Sequence, residues 1–494
     1  MTDNNQPNHH WKTLDRDLGR IAALESATSY VSKPMVGLGI SLVFVVVASL
    51  IATLLFGEEN TRWIVVLAAA VGAYMALNIG ANDVANNMGP AVGAKALTMG
   101  GAILIAAIFE SAGALLAGGD VVSTISKGIV SPESVSGPGI FIWAMMAALL
   151  SSALWINLAT WVGAPVSTTH SIVGGVMGAG IAAAGFGAVN WPTMGSIAAS
   201  WVISPILGGV IAAAFLAFIK KFIIYQDDKI AAARRWVPVL VAIMAGAFAS
   251  YLSLKGLSKL VKIEMGNALL IGLGVAVLSY FLSAPVIKRK SIGLENRNRS
   301  LKVLFGLPLV LSAAMLSFAH GANDVANAVG PLAAIVHASE FGDVQSKVEI
   351  PRWVMIIGAF GISFGLFLFG PKLIRMVGSQ ITKLNPMRAY CVALSAALTV
   401  IVASWLGLPV SSTHIAVGAV FGVGFFREWH AERRKRLNLS GGKPSKVIAA
   451  EERSRRKLVR RSHFMTIVAA WIITVPAAAA MSAVIFLVLN RLAG

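Results

Sequence analysis

Two carboxylates stand inside stretches of the chain that are otherwise apolar enough to cross a membrane. Asp83 lies in GANDVANNMGP and Asp324 in GANDVANAVGP, and nine of these eleven positions are identical. An ionised side chain at the bilayer centre costs about 3 kcal/mol on insertion scales, so each carboxylate needs a compensating partner. The glycines and prolines around it favour an unwound helix whose free carbonyls are hard oxygen ligands. The pattern predicts a sodium-type site at each aspartate, with Asn82 and Asn323 as further ligands.

A second pair of motifs, PVSTTH at residues 165–170 and PVSSTH at residues 409–414, places three hydroxyls in a row. A glycine-rich apolar helix is predicted to begin just after each motif, near Ser171 and Ile415. Hydroxyl donors, exposed backbone N–H groups and the positive end of the helix dipole suit a tetrahedral oxyanion. The predicted anion-binding residues are Ser167, Thr168, Thr169, Ser411, Ser412 and Thr413, with Asn86 and Asn327 beside them.

Each of these assignments has a structural alternative. A buried aspartate can be satisfied by a neighbouring helix N-terminus, although finding the same acid twice in one motif argues against packing alone. A serine or threonine before a helix is commonly an ordinary N-cap, but capping needs one hydroxyl and not three. For His170 and His414, holding a helix end by hydrogen bonding is favoured over contact with the anion. Metal ligation by them has little support, because no second histidine lies at ligand spacing.

Glu110, in AAIFESAGALL, is a further acid in an apolar segment. It is a second-rank candidate for cation coupling or for holding a gate. The alternative, equally compatible with the sequence, is a residue near the end of a span that pairs with Lys95 or Lys127.

The composition determines the class of protein that positions these residues. Hydrophobic residues make up 56% of the 494 and charged residues only 13%, whereas soluble domains carry about 25% charged residues. Recurring apolar stretches predict an all-α integral membrane protein with about 12–13 transmembrane segments. The net charge of +19 comes from short basic segments between spans, which the positive-inside rule explains without a nucleic-acid partner. The single cysteine, Cys391, excludes a disulfide framework or thiolate cluster.

The motif pairs recur in the same order and spacing, so the chain contains a duplicated unit. Basic residues precede the second unit but not the first, which predicts inverted repeats with discontinuous helices in the membrane. We expect a cytoplasmic N-terminus and an outside C-terminus. The predicted divisions are residues 1–60 (polar N-terminus and an extra helix), 61–222 (first repeat), 223–300 (linking hairpin and cytoplasmic loops) and 301–494 (second repeat, with a basic cytoplasmic loop at 427–463).

At both motif pairs the sequence resembles the inorganic phosphate transporter (PiT) family, from about Trp63 to the end except for the basic loop. The stretches AAIFESAGALLAGG, ISKGI and ASWVISPILGG are closest to its sodium-coupled branch. The resemblance implies symport of sodium and inorganic phosphate by a dimeric carrier in the cell membrane, with co-transported sodium and no cofactor. One departure is Ala393, where related proteins often carry a membrane glutamate, and it leaves the coupling stoichiometry open.

Several alternatives remain at this point. A membrane carboxylate can serve protons instead of sodium, and helix termini recognise sulfate or another oxyanion as well as phosphate. An anion channel would need a continuous polar pore. An enzyme acting on phosphate esters would need a nucleophile with a base or a metal cluster, and His170 near Ser167 is the only local hint of one. We therefore expect a secondary transporter and no enzymatic activity.

Overall fold

The computed structural model describes residues 35–162, 166–256, 261–342, 350–380, 384–436 and 461–493. These residues are helical almost throughout, and their only β pairing is an isolated bridge between Val130 and Val189. The first helices are α1 (Met35–Leu55), α2 (Arg62–Gly93), α3 (Met99–Ala117), α4 (Pro138–Val162), α5 (Thr168–Ala184), α6 (Trp191–Ile219), α7 (Lys229–Lys255) and α8 (Met265–Lys290). They are followed by α9 (Asn298–Leu304), α10 (Gly306–Asp324), α11 (Ala326–Phe341), α12 (Arg352–Gln380), α13 (Pro386–Trp405), α14 (Ser412–Arg436) and α15 (Arg461–Ala493).

The predicted all-α membrane fold is confirmed. Ten helices of the described chain are long and apolar enough to cross a membrane. The number is up to 11 if α9 and the stretch Gly306–Phe341 (α10 and α11), which meet at a 47° bend, form one span. This count is lower than the 12–13 segments predicted. The difference lies in the helices of the hydroxyl motifs: α5 has only 17 residues, and the last part of α14 is rich in charged residues.

Several helices begin where a polar side chain caps the free backbone N–H groups. Asn190 accepts from the backbone N–H of Thr193 at the start of α6, and Asn385 accepts from that of Arg388 at the start of α13. Asp228 accepts from two backbone N–H groups at the start of α7. These caps mark where three of the long apolar helices begin.

The helix does not unwind at Asp83, so the prediction was wrong there, and at Asp324 the interruption is confined to one residue. Helix α2 runs without interruption through Asp83, and the single residue between α10 and α11, Val325, keeps helical angles (φ −55°, ψ −32°). The neighbouring glycines serve close packing. A Cβ on Gly80 would lie 1.8 Å from the Ile362 carbonyl oxygen, and one on Gly321 would lie 2.1 Å from that of Glu110. Helical structure is interrupted at the hydroxyl motifs instead, between α4 and α5 and between α13 and α14.

Small residues let the two halves of the chain pack backbone to backbone. A Cβ on Gly422 of α14 would lie 2.0 Å from the Gly209 carbonyl oxygen of α6, and one on Gly178 of α5 would lie 2.1 Å from the Ala479 carbonyl oxygen of α15. Small residues allow such approach between membrane helices. Each hydroxyl-motif helix therefore packs against the last helix of the opposite half, and both motifs are brought to the centre of the molecule.

Candidate functional site

Asp83 is the point where the two hydroxyl motifs meet. Its side chain is completely buried. Thr168 of α5 donates to Asp83 Oδ2 at 2.8 Å, and Thr413 of α14 donates to Asp83 Oδ1 at 3.1 Å. One carboxylate thus takes a hydroxyl from each half of the chain. Hydrogen bonds to an ionised acceptor are about twice as strong as neutral ones, so Asp83 ties the starts of α5 and α14 together.

Asp324 has a different environment although it occupies the same motif position. Ser412 donates to its Oδ2 at 3.2 Å, and Nε2 of His320, one helical turn earlier, lies 2.9 Å from the same oxygen. Its Oδ1 has no hydrogen-bond partner among the described residues. Asp324 therefore keeps an acceptor oxygen available inside a fully buried site.

Two asparagines cross between the halves and orient the hydroxyls. Asn86 donates to Thr413 Oγ1 at 2.8 Å. Asn327 lies 3.3 Å from both Thr168 Oγ1 and Thr169 Oγ1. Because the Thr413 hydroxyl accepts from an amide of the first half, its own hydrogen is directed to the carboxylate.

Asn82 and Asn323 use their amide nitrogens away from the aspartates. Asn82 donates to Thr160 at 2.9 Å, and Asn323 donates to Ser404 at 3.0 Å. Neither amide oxygen has a donor among the described residues. Buried polar atoms are normally paired, and oxygens that lack a donor are suitable ligands for a hard cation.

The other three hydroxyls of the two motifs do not reach the aspartates. Ser167 accepts from the His170 backbone N–H at 3.1 Å, and Ser411 accepts from that of His414 at 3.3 Å. Thr169 donates to the Val410 carbonyl oxygen at 3.0 Å. The two serines are thus N-caps, and α5 and α14 begin three residues earlier than predicted. Thr168, Ser412 and Thr413 are the hydroxyls that reach the aspartates.

Comparison with known proteins shows the family of this chain. Residues 79–482 match the model of the phosphate transporter family. The chain belongs to this family. Putative phosphate permeases from Helicobacter pylori strain J99 and Pyrococcus abyssi are 46% and 38% identical to it, covering 96% and 86% of this chain and 99% and 97% of theirs. A solved structure of a sodium-dependent phosphate transporter is 36% identical and superposes with a TM-score of 0.76 over 87% of this chain and 99% of that one.

The family assignment confirms the resemblance found in the sequence and identifies the chain as a transporter and not an enzyme. It also places the hydroxyl motifs and both aspartates inside the matched region. The roles of individual residues in binding stay predictions.

The histidines that follow the hydroxyls hold the two helix starts of this phosphate transporter family member side by side. The rings of His170 and His414 meet edge to face with centroids 4.4 Å apart. The ring of Trp201 lies 3.8 Å from that of His170, and its indole N–H donates to the Pro409 carbonyl oxygen at 3.1 Å. Trp201 therefore connects α5 to the loop before α14. Sequence reasoning missed it, because its hydrogen bond is to a carbonyl of the opposite half.

Glu110 faces the centre of the site and contacts neither predicted lysine within the described part of the chain. It is completely buried. Asn87 donates to its Oε1 at 2.9 Å, and His320 Nδ1 lies 3.4 Å from the same oxygen. Lys95 is exposed, and the side chain of Lys127 lies outside the described residues. A salt bridge between Glu110 and Lys95 at the end of a span is therefore excluded.

His320 was not predicted as a site residue, yet it contacts all three acids. Its Nε2 lies 2.9 Å from Asp324 and 3.7 Å from Asp83, and its Nδ1 lies 3.4 Å from Glu110. The one available signal was a histidine directly before the second GAND motif, where the first copy has Ile79. Three buried carboxylates face one imidazole, so the site is deficient in positive charge and suited to bind cations.

The hydrogen bonds distinguish Ser167, which caps a helix, from Thr168, which donates to Asp83. We expect Ser167→Ala to lower stability by about 1 kcal/mol, the usual cost of losing an N-cap, while phosphate uptake per folded molecule stays near wild type. Thr168→Val keeps the shape of the side chain but removes the donor to Asp83, and we expect it to lower uptake by about tenfold. Thermal unfolding and uptake in proteoliposomes measure the two effects. Equal loss of uptake in both variants would contradict this division.

Proposed function

We propose that this protein carries inorganic phosphate across the membrane together with sodium ions, by alternating access. The observation that supports this most is the convergence of both hydroxyl motifs on Asp83, through Thr168 and Thr413. Two helix N-termini with hydroxyl donors then lie beside one another at a buried carboxylate. An anion-binding site and a cation-binding site are in direct contact.

The phosphate is held between the starts of α5 and α14. A helix N-terminus offers backbone N–H groups and positive potential to an oxyanion. The hydroxyls of Thr168, Ser412 and Thr413 each have one hydrogen, which is donated to an aspartate in this structure. Sodium at the aspartates would release these hydrogens for donation to the phosphate. The amides of Asn86 and Asn327 lie against the threonines. In this arrangement each half of the chain contributes half of the phosphate site.

Sodium ions bind at Asp83 and Asp324. The donor set is made of carboxylate oxygens and the amide oxygens of Asn82 and Asn323, which have no hydrogen-bond donor among the described residues. Hard cations prefer such oxygens. The solved structure that this chain resembles is that of a sodium-dependent transporter, which supports the same coupling ion here.

Charge explains why the two fluxes are coupled. Phosphate cannot approach buried carboxylates unless cations neutralise them, since an uncompensated charge inside a membrane protein is costly. Sodium at Asp83 and Asp324 removes that repulsion, and the phosphate in turn balances the bound cations. The fully loaded site is then free to change its exposure, whereas an empty or half-loaded site keeps uncompensated charge that resists the transition.

The exchange of helices between the halves supports inverted repeats as the basis of alternating access. Helix α6 packs on α14 through Gly209 and Gly422, and α15 packs on α5 through Ala479 and Gly178. Equivalent elements thus make equivalent contacts in both directions, as expected for a site at a repeat interface. The cytoplasmic N-terminus, the outside C-terminus and the homodimer stay predictions.

Uptake of radioactive phosphate into proteoliposomes tests the proposal. We expect an inward sodium gradient to drive accumulation, whereas potassium of the same concentration does not. A proton gradient without sodium tests the proton-coupled alternative, and excess sulfate tests the anion. Sodium-independent uptake would reject sodium as the coupling ion, and abolition of uptake by this sulfate would reject phosphate as the substrate.

A further inference from the structure

We propose that Asp83, Asp324 and His320 also form a binding site for one divalent d-block cation, such as Zn²⁺. The ion would occupy the site in place of co-transported sodium and block transport. The blocking effect rests on the proposed function, whereas the binding site itself does not.

The distances between the three side chains fit such an ion. His320 Nε2 lies 2.9 Å from Asp324 Oδ2 and 3.7 Å from Asp83 Oδ2, and one ligand atom from each residue lies within 4.8 Å of the others. In a tetrahedral zinc site with bonds of about 2.0–2.1 Å, ligand atoms are separated by roughly 3.3 Å. The two measured separations lie on either side of that value.

The imidazole points to a metal of this class. Sodium, calcium and magnesium bind oxygen, whereas neutral imidazole suits zinc, cobalt and nickel. His320 Nε2 is close to carboxylate oxygens, yet neither ring nitrogen makes a hydrogen bond of good direction within the described residues. One imidazole nitrogen and two carboxylate oxygens, all buried, are thus within reach of a single ion.

A second layer of contacts supports His320 in this role. Glu110 Oε1 lies 3.4 Å from Nδ1 of the ring, and Asn87 donates to the same oxygen at 2.9 Å. A carboxylate beside the far nitrogen of a metal-binding histidine fixes the tautomer that leaves the near nitrogen free. Glu110 would hold the His320 ring in this way, while His320 and the aspartates bind the metal.

The first copy of the GAND motif lacks counterparts of His320 and Glu110. Gly321 packs against the Glu110 carbonyl, and the corresponding Gly80 packs against the Ile362 carbonyl. The residue before Gly80 is Ile79, where His320 precedes Gly321. Histidine and glutamate are thus both replaced by isoleucine at the equivalent positions. The aspartates occur in both copies, so they do not by themselves require the nitrogen ligand.

Equilibrium binding of radioactive Zn²⁺ to the purified, full-length protein in sodium-free buffer tests the site. We expect one equivalent to bind, and sodium to weaken the binding. His320→Ile, which copies the first motif, should weaken it by at least about 100-fold, and Glu110→Gln by about 10–100-fold. His430→Gln is the matched control, because His430 lies at the far end of α14 against Tyr225. It should bind Zn²⁺ as the wild type does.

Uptake measurements separate this inference from the proposed function. Micromolar Zn²⁺ should inhibit sodium-driven phosphate uptake by the wild type, and the inhibition should be lost in His320→Ile. If that variant is not monodisperse, His320→Gln replaces it. Unchanged Zn²⁺ binding in the folded histidine variant, or no binding to the wild type, overturns the inference. If Zn²⁺ binds through His320 but sodium drives no phosphate uptake, the proposed function fails and the metal site stands.

Discussion

Asp83→Asn is expected to lower sodium-driven phosphate uptake by at least about 100-fold. Asp83 accepts hydroxyl hydrogen bonds from both halves of the chain and, in the proposed mechanism, supplies a negative charge for the bound cation. Removing one partner of a buried charge pair costs about 3–5 kcal/mol, and about 1.4 kcal/mol corresponds to a tenfold change in binding. Initial rates of radioactive phosphate uptake in proteoliposomes, normalised to folded protein, measure the loss.

A matched acid outside the site provides the control. Asp120 follows α3 and pairs with Lys255 at the end of α7; about half of its side chain is exposed. A partly exposed ion pair contributes at most about 1 kcal/mol, so Asp120→Asn should transport at close to the wild-type rate. Asp324→Asn should resemble Asp83→Asn. Wild-type uptake by folded Asp83→Asn would contradict the proposed cation site.

Gly80→Ala is expected to prevent the protein from folding. The added Cβ would lie 1.8 Å from the Ile362 carbonyl oxygen and 2.9 Å from the Leu366 backbone nitrogen. Both atoms belong to the backbone of α12, so the two helices would have to separate. Overpacking a tight core costs about 1–3 kcal/mol where side chains can adjust, and a backbone contact of this kind costs more. The yield of monodisperse protein on size exclusion measures the effect.

Gly100→Ala is the control for this substitution. Gly100 lies in the first turn of α3, and nothing is within 4 Å of the Cβ it would gain. Alanine has the higher helix propensity by about 1 kcal/mol, so this variant should be at least as stable as the wild type. A normal yield of monodisperse, thermally stable Gly80→Ala would show that α2 and α12 do not pack this closely.

Local patterns in the sequence predicted the fold class and the location of the site. Low charge and repeated apolar stretches indicate a membrane protein, because the bilayer requires them. The hydroxyl motifs predicted helix starts because capping depends on adjacent residues, as Ser167 and Ser411 show. The duplicated aspartates marked the centre of the molecule, since an acid in an apolar span requires a partner.

Tertiary contacts account for what the sequence did not predict. The glycines beside the aspartates were interpreted as points of unwinding, but Gly80 and Gly321 allow other helices to approach. The sequence could not distinguish these roles, because the partner carbonyls lie far along the chain. For the same reason Glu110 was matched with lysines near it in the sequence, whereas its polar contacts are Asn87 on α2 and His320 on α10.

The reciprocal flux tests the central claim, coupling of sodium to phosphate, most directly. Proteoliposomes with equal sodium inside and outside are given an inward phosphate gradient, and entry of radioactive sodium is followed. The account predicts transient accumulation of sodium above equilibrium by the wild type and none by Asp83→Asn. Phosphate entry by the wild type without any sodium accumulation would contradict it.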